Sequence, residues 1–290
     1  MSQTIPMVFT LAAIVAGVPP LAIAQQNAAA QPSKDLMVDA GGYQIFTSQA
    51  GSGEPVIVFV SGLGEDTSTW QNVQPQAAQF GRTFTYDRAG LGKSDPSSNP
   101  KTVEQMVKEL HAVLTAAQVP PRYVLVGHSL GGAVVELYAF TYPKEVAGLV
   151  LVDPEDGRLL ERLEVRLPKQ EWQAREGALA QMMAGASPAQ KAEIEGSKKS
   201  GPALAVALPL PNVPVVLLTG TLKDPSFPGN PLEQDLKLEL QNEFLKNVPQ
   251  AQHVLVPNSR HYIQDDAPQL VIDAIQKVVN QSKAAKRIGA

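Results

Sequence analysis

Five consecutive residues near the middle of the chain combine a nucleophile with the backbone that such a nucleophile needs. They are Gly127-His128-Ser129-Leu130-Gly131, in which a serine stands between two glycines. This is the G-x-S-x-G pattern of a nucleophile elbow, a sharp turn from a strand into a helix. The turn strains the backbone of the serine and leaves no room for side chains two residues before and after it. The spacing therefore predicts that Ser129 stands clear of the sheet as a nucleophile, at the positive end of the next helix.

The residues on either side of this motif have the patterns that the turn requires. An apolar, β-branched run at 123–126 comes before it and predicts a buried strand. The run at 133–139 comes after it and is typical of the start of a helix. Strand, serine and helix thus follow one another in the order of an elbow.

The rest of the chain alternates strands with helices, which predicts an α/β fold with a mostly parallel central sheet flanked by helices. Continuous apolar runs favour strands that are buried on both faces. Apolar residues spaced three and four apart indicate helices, most clearly at 101–119 and at the C-terminal end. The other strands are predicted at 43–48, 55–60, 82–86, 146–152, 213–219 and 252–256, and further helices at 68–80 and 232–248.

Residues 155–212 depart from this alternation. They are rich in Glu, Arg, Gln, Ala and Met, and no strand-like run interrupts them before Ala203. Ser187 followed by Pro188 indicates a helix start within the stretch. We expect a helical cap, inserted into the sheet domain at about 154–212.

Several candidate site residues come just after predicted strands. They are Leu63, Ser129, Asp153, Asp224 and His261. The carboxyl ends of parallel strands meet at one edge of a sheet, and ligands bind there in folds of this kind. The five positions can therefore converge on one site.

Composition and charge argue against several other classes of function. The formal net charge is −4, which offers no basic face to a nucleic acid. The chain has no cysteine, so it has no disulfide or thiolate metal site, and its four histidines lack the spacing of metal ligands. Gly92-Lys93-Ser94 resembles the end of a phosphate-binding loop, but Asp87 stands where that loop needs its first glycine. We therefore predict no metal, no cofactor and no nucleic-acid partner.

The N-terminal segment has the composition of an export signal. Residues 1–24 carry no charged side chain, and Ala22-Ile23-Ala24 has the small-x-small form of a cleavage site. Their apolar run is short for a membrane span. We expect a signal peptide at 1–24, a linker at 25–36 and the main domain at 37–290, with an uncleaved anchor as the alternative. Cleavage would leave a periplasmic or secreted protein without a stable membrane anchor.

Four segments together resemble the α/β-hydrolase superfamily, from about Val38 to the final helix. They are the loop at 61–64, the loop at 86–95, the elbow at 127–132 and the segment at 259–263. The resemblance implies an α/β-hydrolase fold and a catalytic triad in the order serine, acid, histidine. It also implies an oxyanion hole made by the backbone N–H groups of Leu63 and Leu130, although many members have His-Gly where this chain has Ser61-Gly62.

The resemblance assigns roles to the other candidates. Ser129 is the expected nucleophile, and His261 is the general base that takes its proton and later protonates the leaving group. Asp224 is expected to orient the imidazole, because the resemblance places the acid after the penultimate strand. Asp153 is the rival for this role.

These roles imply a metal-free serine hydrolase that cleaves a small or medium carboxylic ester through an acyl-enzyme intermediate. The serine matters, because members with an aspartate in its place are dehalogenases or epoxide hydrolases. A peptidase or amidase of the same mechanism is a second hypothesis. A hydrolase-fold protein that binds a ligand without turnover is a third, and a cofactor-free oxidoreductase is a fourth.

Overall fold

The computed structural model describes residues 33–200, 204, 207–223 and 229–288. The expected signal peptide at 1–24 lies outside this part of the chain, as does most of the expected linker. The first strand begins at Lys34, so it includes the last residues of the stretch expected to be a linker. Within the described ranges, no helix is both long enough and apolar enough to cross a membrane.

Eight strands of the described residues form one sheet. They are β1 (Lys34–Asp39), β2 (Gln44–Ala50), β3 (Val56–Val60), β4 (Thr83–Tyr86), β5 (Tyr123–His128), β6 (Val146–Val152), β7 (Val215–Gly220) and β8 (Ala251–Val256). Their order across the sheet is β1-β2-β4-β3-β5-β6-β7-β8. β2 pairs antiparallel with β1 and β4, and β3 to β8 run parallel to one another. This confirms the predicted, mostly parallel sheet.

The helices of the described residues connect and flank these strands. They are α1 (Gln74–Ala77), α2 (Val103–Ala116), α3 (Leu130–Thr141), α4 (Leu159–Arg166), α5 (Lys169–Met182), α6 (Pro188–Ser197), α7 (Asn230–Asn247), α8 (Ile263–Asp266) and α9 (Pro268–Ile288).

An apolar layer covers each face of the sheet. On one face, α2 and α3 pack with Val56, Val58 and Val60 of β3. On the other face, α1 and α9 pack with the alternating residues Ile57 and Phe59. Successive side chains of a strand point to opposite faces, so a strand covered on both sides needs the continuous apolar run seen in the sequence.

The single helix predicted at 68–80 is wrong. The stretch forms a 3₁₀ turn at Thr67–Trp70 and, after it, the separate short helix α1. Pro75 lies in the first turn of α1, where its missing N–H is tolerated, but it interrupts a helix that starts at 68. The turn places Trp70 in the core, with its ring centroid 5.0 Å from that of Phe59.

Three helices, α4 to α6, lie between β6 and β7, in the stretch expected to form a cap. α6 begins at the predicted start: the Ser187 hydroxyl accepts from the Gln190 N–H, and the Gln190 side chain accepts from the Ser187 N–H. Leu163 of α4 is buried with Leu167 and with Leu236 of α7. This small core attaches α4 to α7.

Candidate active site

The chain turns sharply between β5 and α3, and Ser129 lies at the turn. Its backbone has φ 52° and ψ −120°, a combination that residues with a side chain rarely adopt. A Cβ atom at Gly127 would lie 2.3 Å from the carbonyl oxygen of Gly131, and one at Gly131 would lie 2.1 Å from that of Val60. The structure therefore confirms that both glycines of the motif are sterically required.

Ser129 is joined to a histidine and an acid by a continuous chain of hydrogen bonds. Nε2 of His261 lies 2.9 Å from Oγ of Ser129, and Nδ1 lies 2.7 Å from Oδ2 of Asp153. An ionised carboxylate can only accept, so Nδ1 carries the hydrogen and Nε2 can accept the proton of the serine hydroxyl. The three side chains have the mutual geometry of nucleophile, base and acid.

The acid bonded to the histidine is Asp153, the rival candidate, whereas the preferred candidate Asp224 lies outside the described residues. Asp153 stands directly after β6, and its N–H donates to the Leu218 carbonyl of β7 at 2.9 Å. Its φ of 45° is unusual for a residue with a side chain, as is that of Ser129. The sequence held a signal for it, because Asp153 ends its apolar run without a gap and Asp224 comes beyond the end of β7 at Gly220.

Asp153 is buried and has two further donors. Nζ of Lys237 on α7 lies 3.0 Å from its Oδ1 and 2.8 Å from its Oδ2, and the Gly220 N–H donates to Oδ1 at 3.0 Å. Burial by itself raises the pKa of Asp153, but the hydrogen bond to His261 and the charge of Lys237 outweigh it and hold the pKa below its ordinary value. Asp153 is therefore ionised at neutral pH and can stabilise a positive charge on His261.

The loop at 61–64, expected to contribute to an oxyanion hole, passes close to the elbow. A Cβ atom at Gly131 would lie 2.7 Å from the Ser61 carbonyl oxygen. Arg88, from the loop after β4, donates to the carbonyl oxygens of Ser61 and Gly62, both at 2.6 Å. Arg88 thus supports the backbone of the loop at Ser61 and Gly62.

A cap helix holds the other side of the same loop. Glu193 of α6 accepts from the Gly64 N–H at 2.8 Å and pairs with Arg88 at 2.6 Å. Both charged side chains are buried. The backbone is thereby fixed on either side of Leu63. Leu130, the other expected donor, is the first residue of α3, where N–H groups have no acceptor within the helix.

His128, next to the nucleophile, ties this loop to the segment that bears His261. It is fully buried, with Nε2 3.1 Å from the His261 carbonyl oxygen and Nδ1 3.1 Å from Oε2 of Glu65. Glu65 also accepts from the Gly62 N–H at 2.8 Å. Burial alone raises the pKa of Glu65, but its hydrogen bonds to His128 and to Gly62 contribute to a net lowering.

Sequence reasoning missed the charged residues that support the triad and the loop. For Lys237 a signal exists, since it lies three residues before Leu240 on the buried face of α7. For Glu193 no local signal exists, because its burial depends on Arg88, which is distant in the chain.

Ser129 can be reached from solvent. Ser129 is half-buried, and the side chain of His261 is 43% exposed. Among the described residues, no three acidic or histidine side chains are grouped closely enough to hold a metal ion. The arrangement can activate a hydroxyl for attack on a carbonyl carbon.

Comparisons of sequence and structure show which known proteins this chain is similar to. The model of the Alpha/beta hydrolase family matches residues 57–274. The protein YqjL of Bacillus subtilis is 30% identical over 228 residues, which cover 79% of this chain and 85% of YqjL. The crystal structure of a candidate lipase from Acinetobacter baumannii has a TM-score of 0.69 at 22% identity, covering 88% of this chain and 93% of that one. RutD of Cronobacter turicensis, a candidate carbamate hydrolase, is 36% identical over 102 residues, which cover 35% of this chain and 38% of RutD.

Proposed function

The chain belongs to the alpha/beta hydrolase family, and we propose that it is a serine hydrolase that cleaves a small or medium carboxylic ester through an acyl-enzyme intermediate. The observation that carries this proposal is the hydrogen-bonded chain from Ser129 through His261 to Asp153. The strained backbone of Ser129 supports it, because a protein that only binds a ligand has no need of that strain.

The proposed reaction has an acylation and a deacylation step. Oγ of Ser129 attacks the ester carbonyl carbon while its proton passes to Nε2 of His261, and Asp153 stabilises the imidazolium. The bond between the carbonyl carbon and the alcohol oxygen then breaks, and the proton on Nε2 goes to the leaving alcohol. Water then attacks the acyl carbon and gives a proton to the same imidazole; the bond from that carbon to Oγ of Ser129 breaks, the proton passes to Oγ, and the carboxylic acid leaves.

The N–H groups of Leu63 and Leu130 are the proposed donors to the oxyanion of each tetrahedral intermediate. One such donor is typically worth on the order of 10²–10³ in rate. Preorganisation is what makes these donors effective, and the buried pair of Arg88 and Glu193 holds the backbone beside Leu63.

Two observations favour an ester as the substrate: the chemistry of the serine and the similarity to a candidate lipase. A serine at the elbow is suited to acyl transfer, and one structural neighbour is a candidate lipase. The partial similarity to a candidate carbamate hydrolase favours cleavage of an acyl carbon–nitrogen bond as the second candidate, by a peptidase or amidase of the same mechanism.

Hydrolysis of p-nitrophenyl esters and p-nitroanilides with matched acyl groups tests this function. We expect a burst of p-nitrophenol stoichiometric with the protein, followed by steady turnover of the esters. Ser129→Ala should lower kcat by about 10⁴-fold or more, whereas Ser98→Ala, at an exposed position, should not. Faster cleavage of the anilides would favour the amidase, and binding of both without turnover would favour a ligand-binding protein.

A further inference from the structure

The hydrogen bonds of His128, the residue before the proposed nucleophile, define which of its ring atoms carry hydrogen. Its side chain is fully buried. Nε2 lies 3.1 Å from the His261 carbonyl oxygen, which can only accept, so Nε2 carries a hydrogen. Nδ1 lies 3.1 Å from Oε2 of Glu65. The charge of the ring therefore depends on whether Glu65 accepts or donates in this contact.

Oε2 of Glu65 already acts as an acceptor for two other groups. It accepts from the Gly62 N–H at 2.8 Å and from the Thr69 hydroxyl at 3.0 Å. Several donors on one oxygen favour an ionised carboxylate, which can only accept. Burial by itself raises the pKa of Glu65, but its contact with His128 and these hydrogen bonds outweigh burial and hold the pKa below its ordinary value. Glu65 is thus ionised, and Nδ1 of His128 carries a second hydrogen.

The groups packed around this pair leave Glu65 as the counterion of His128. The rings of His261 and Tyr262, from the segment after β8, have their centroids 4.7 and 5.2 Å from that of His128. Burial and the charge of Glu65 raise the pKa of Tyr262, so its phenol is uncharged at neutral pH. The neighbouring charges are paired with one another, Arg88 with Glu193 and Asp153 with Lys237.

The same pair contacts the loop that carries a proposed oxyanion donor. A Cβ atom at Gly62 would lie 2.8 Å from Nδ1 of His128 and 2.9 Å from both carboxylate oxygens of Glu65. Glu65 accepts the N–H of Gly62, and a carboxylate of α6 accepts that of Gly64. Among the described residues, the Leu63 N–H between them has no acceptor. The pair therefore helps to leave this one N–H available to a substrate.

We propose that His128 and Glu65 form a buried ion pair that positions both the base and the oxyanion loop of the reaction proposed above. The imidazolium of His128 donates to the backbone of His261, and Glu65 accepts from the backbone of Gly62. Both are positioning residues, because they act through backbone groups of the residues that take part in the reaction. Their role in catalysis rests on the proposed function, whereas the charge of the pair does not.

NMR of the protein labelled with ¹⁵N in its histidines measures the charge of His128. The chain has four histidines, and the signals of His128 are those lost in His128→Gln. At pH 8 we expect both of its ring nitrogens to be protonated. In Glu65→Gln one of them should lose its hydrogen, because the buried charge has lost its counterion. A neutral His128 in the parent would overturn the proposal, as would an imidazolium in Glu65→Gln.

Ester hydrolysis tests the positioning role. His128→Gln and Glu65→Gln should each lower kcat at least about 10-fold with little change in KM, because the base and the oxyanion donor are misplaced in the transition state. The double variant should lose no more than either single variant, since the two residues act as one unit. It also removes both charges, which guards against a single variant that fails to fold. Unchanged kcat, a rise in KM alone, or losses that multiply in the double variant would overturn the role.

A second histidine–glutamate pair provides the matched control. His111 and Glu145 lie 3.3 Å apart, and their side chains are 35% and 28% exposed. His111→Gln and Glu145→Gln should keep the parent's kcat and leave the signals of His128 unchanged. Equal losses of kcat in the two sets would show a general effect on the fold and would contradict the positioning role.

The outcomes separate this inference from the proposed function. A parent that hydrolyses no ester contradicts the proposed function, and the positioning role fails with it whatever the charge of His128. A parent that hydrolyses esters but has a neutral His128 contradicts this inference alone.

Discussion

Ser129 can adopt its backbone conformation only because the two glycines of the motif leave space for neighbouring backbone atoms. The turn between β5 and α3 brings the backbone at Gly131 against β3, so that even a methyl group at this position would lie 2.1 Å from the Val60 carbonyl oxygen. A backbone carbonyl group cannot move away from the added methyl group as the end of a flexible side chain can. The elbow and the end of β3 must therefore move apart if this glycine is replaced.

Gly131→Ala should consequently lower both stability and ester hydrolysis. We expect a loss of about 2 kcal/mol or more in the free energy of unfolding, as for other strained backbone substitutions. Urea denaturation and initial rates measure the two effects. Gly177→Ala in α5 is the control, because nothing lies within 4 Å of its added Cβ, and alanine there should stabilise the helix by up to about 1 kcal/mol. Similar results for the two variants would contradict this account of the elbow.

The pairing of Lys237 with Asp153 leads to a prediction about stability. Lys237→Met leaves a buried carboxylate without its cation, which should destabilise the fold by about 3–5 kcal/mol at pH 7. Lys223→Met is the matched control: Lys223 pairs with Asp235 at 2.7 Å, but both side chains are about half exposed, so the loss should be only about 0–1 kcal/mol.

The pH dependence of the Lys237 effect has a defined sign. Because the folded pKa of Asp153 lies below its ordinary value of 3.8, its stabilising contribution is complete above that value and is lost as the pH falls through the folded pKa. The difference between parent and Lys237→Met should therefore be full at pH 7 and shrink below about pH 4. Urea unfolding at a series of pH values measures it, and a difference that grows in acid would contradict the account.

Single residues also show what a sequence can and cannot reveal. Ser129 was predictable because it lies in a local motif. His261 was predictable because it follows a predicted strand. The choice between Asp153 and Asp224 was not secure, since both follow strands that end at the same edge. The contact between Lys237 and Asp153 depends on how α7 packs in the folded chain, which the sequence pattern does not show.

At the scale of elements, α6 of the cap and the loop after β3 form one unit. Glu193 joins them through Arg88 and the Gly64 N–H. The cap is thus connected to the proposed oxyanion hole by a buried ion pair and by the hydrogen bond from the Gly64 N–H.

Glu193→Gln should weaken this unit and slow catalysis. It leaves the buried charge of Arg88 uncompensated, and we expect a loss of about 3–5 kcal/mol in stability together with a lower kcat for esters. Glu195→Gln on the same helix is the control, because Glu195 and Lys198 are both more than half exposed and their pair should contribute about 0–1 kcal/mol. Equal unfolding midpoints and equal kcat for the two variants would show that α6 does not position the loop.

Most elements were predictable, but β1 was not among the predicted strands and the stretch at 68–80 was predicted wrongly. The buried strands followed from continuous apolar runs, because helices cover both faces of the sheet. The stretch at 68–80 was predicted as one helix, yet Pro75 lies in the first turn of a new helix and Trp70 packs in the core. In this segment, the proline and the burial of Trp70 in the core prevent one continuous helix.

At the scale of the whole molecule, we propose that the chain is exported and that residues 1–24 are removed. The uncharged apolar segment and the small residues at Ala22 and Ala24 support this proposal. Intact mass of the full chain expressed in a bacterial host should show a product that begins at Gln25, recovered from the periplasm or the medium. A full-length product that stays with the membrane fraction would favour the uncleaved anchor instead.

The mostly parallel sheet could be inferred from the sequence at this scale, whereas the substrate could not. Alternation of strands and helices restricts the fold to a few architectures. Substrate preference depends on how the cap and the loops shape the space above Ser129, and one fold supports many substrates.

Covalent labelling with a fluorophosphonate probe tests the central claim most directly. The probe reacts with an activated serine and requires no knowledge of the substrate. We predict one adduct per molecule, mapped to Ser129 by peptide mass and lost in Ser129→Ala, with labelling at least about 10²-fold slower in His261→Ala because the base is removed. A folded protein that gives no adduct, or one whose adduct lies on another serine, would contradict the claim that Ser129 is the nucleophile.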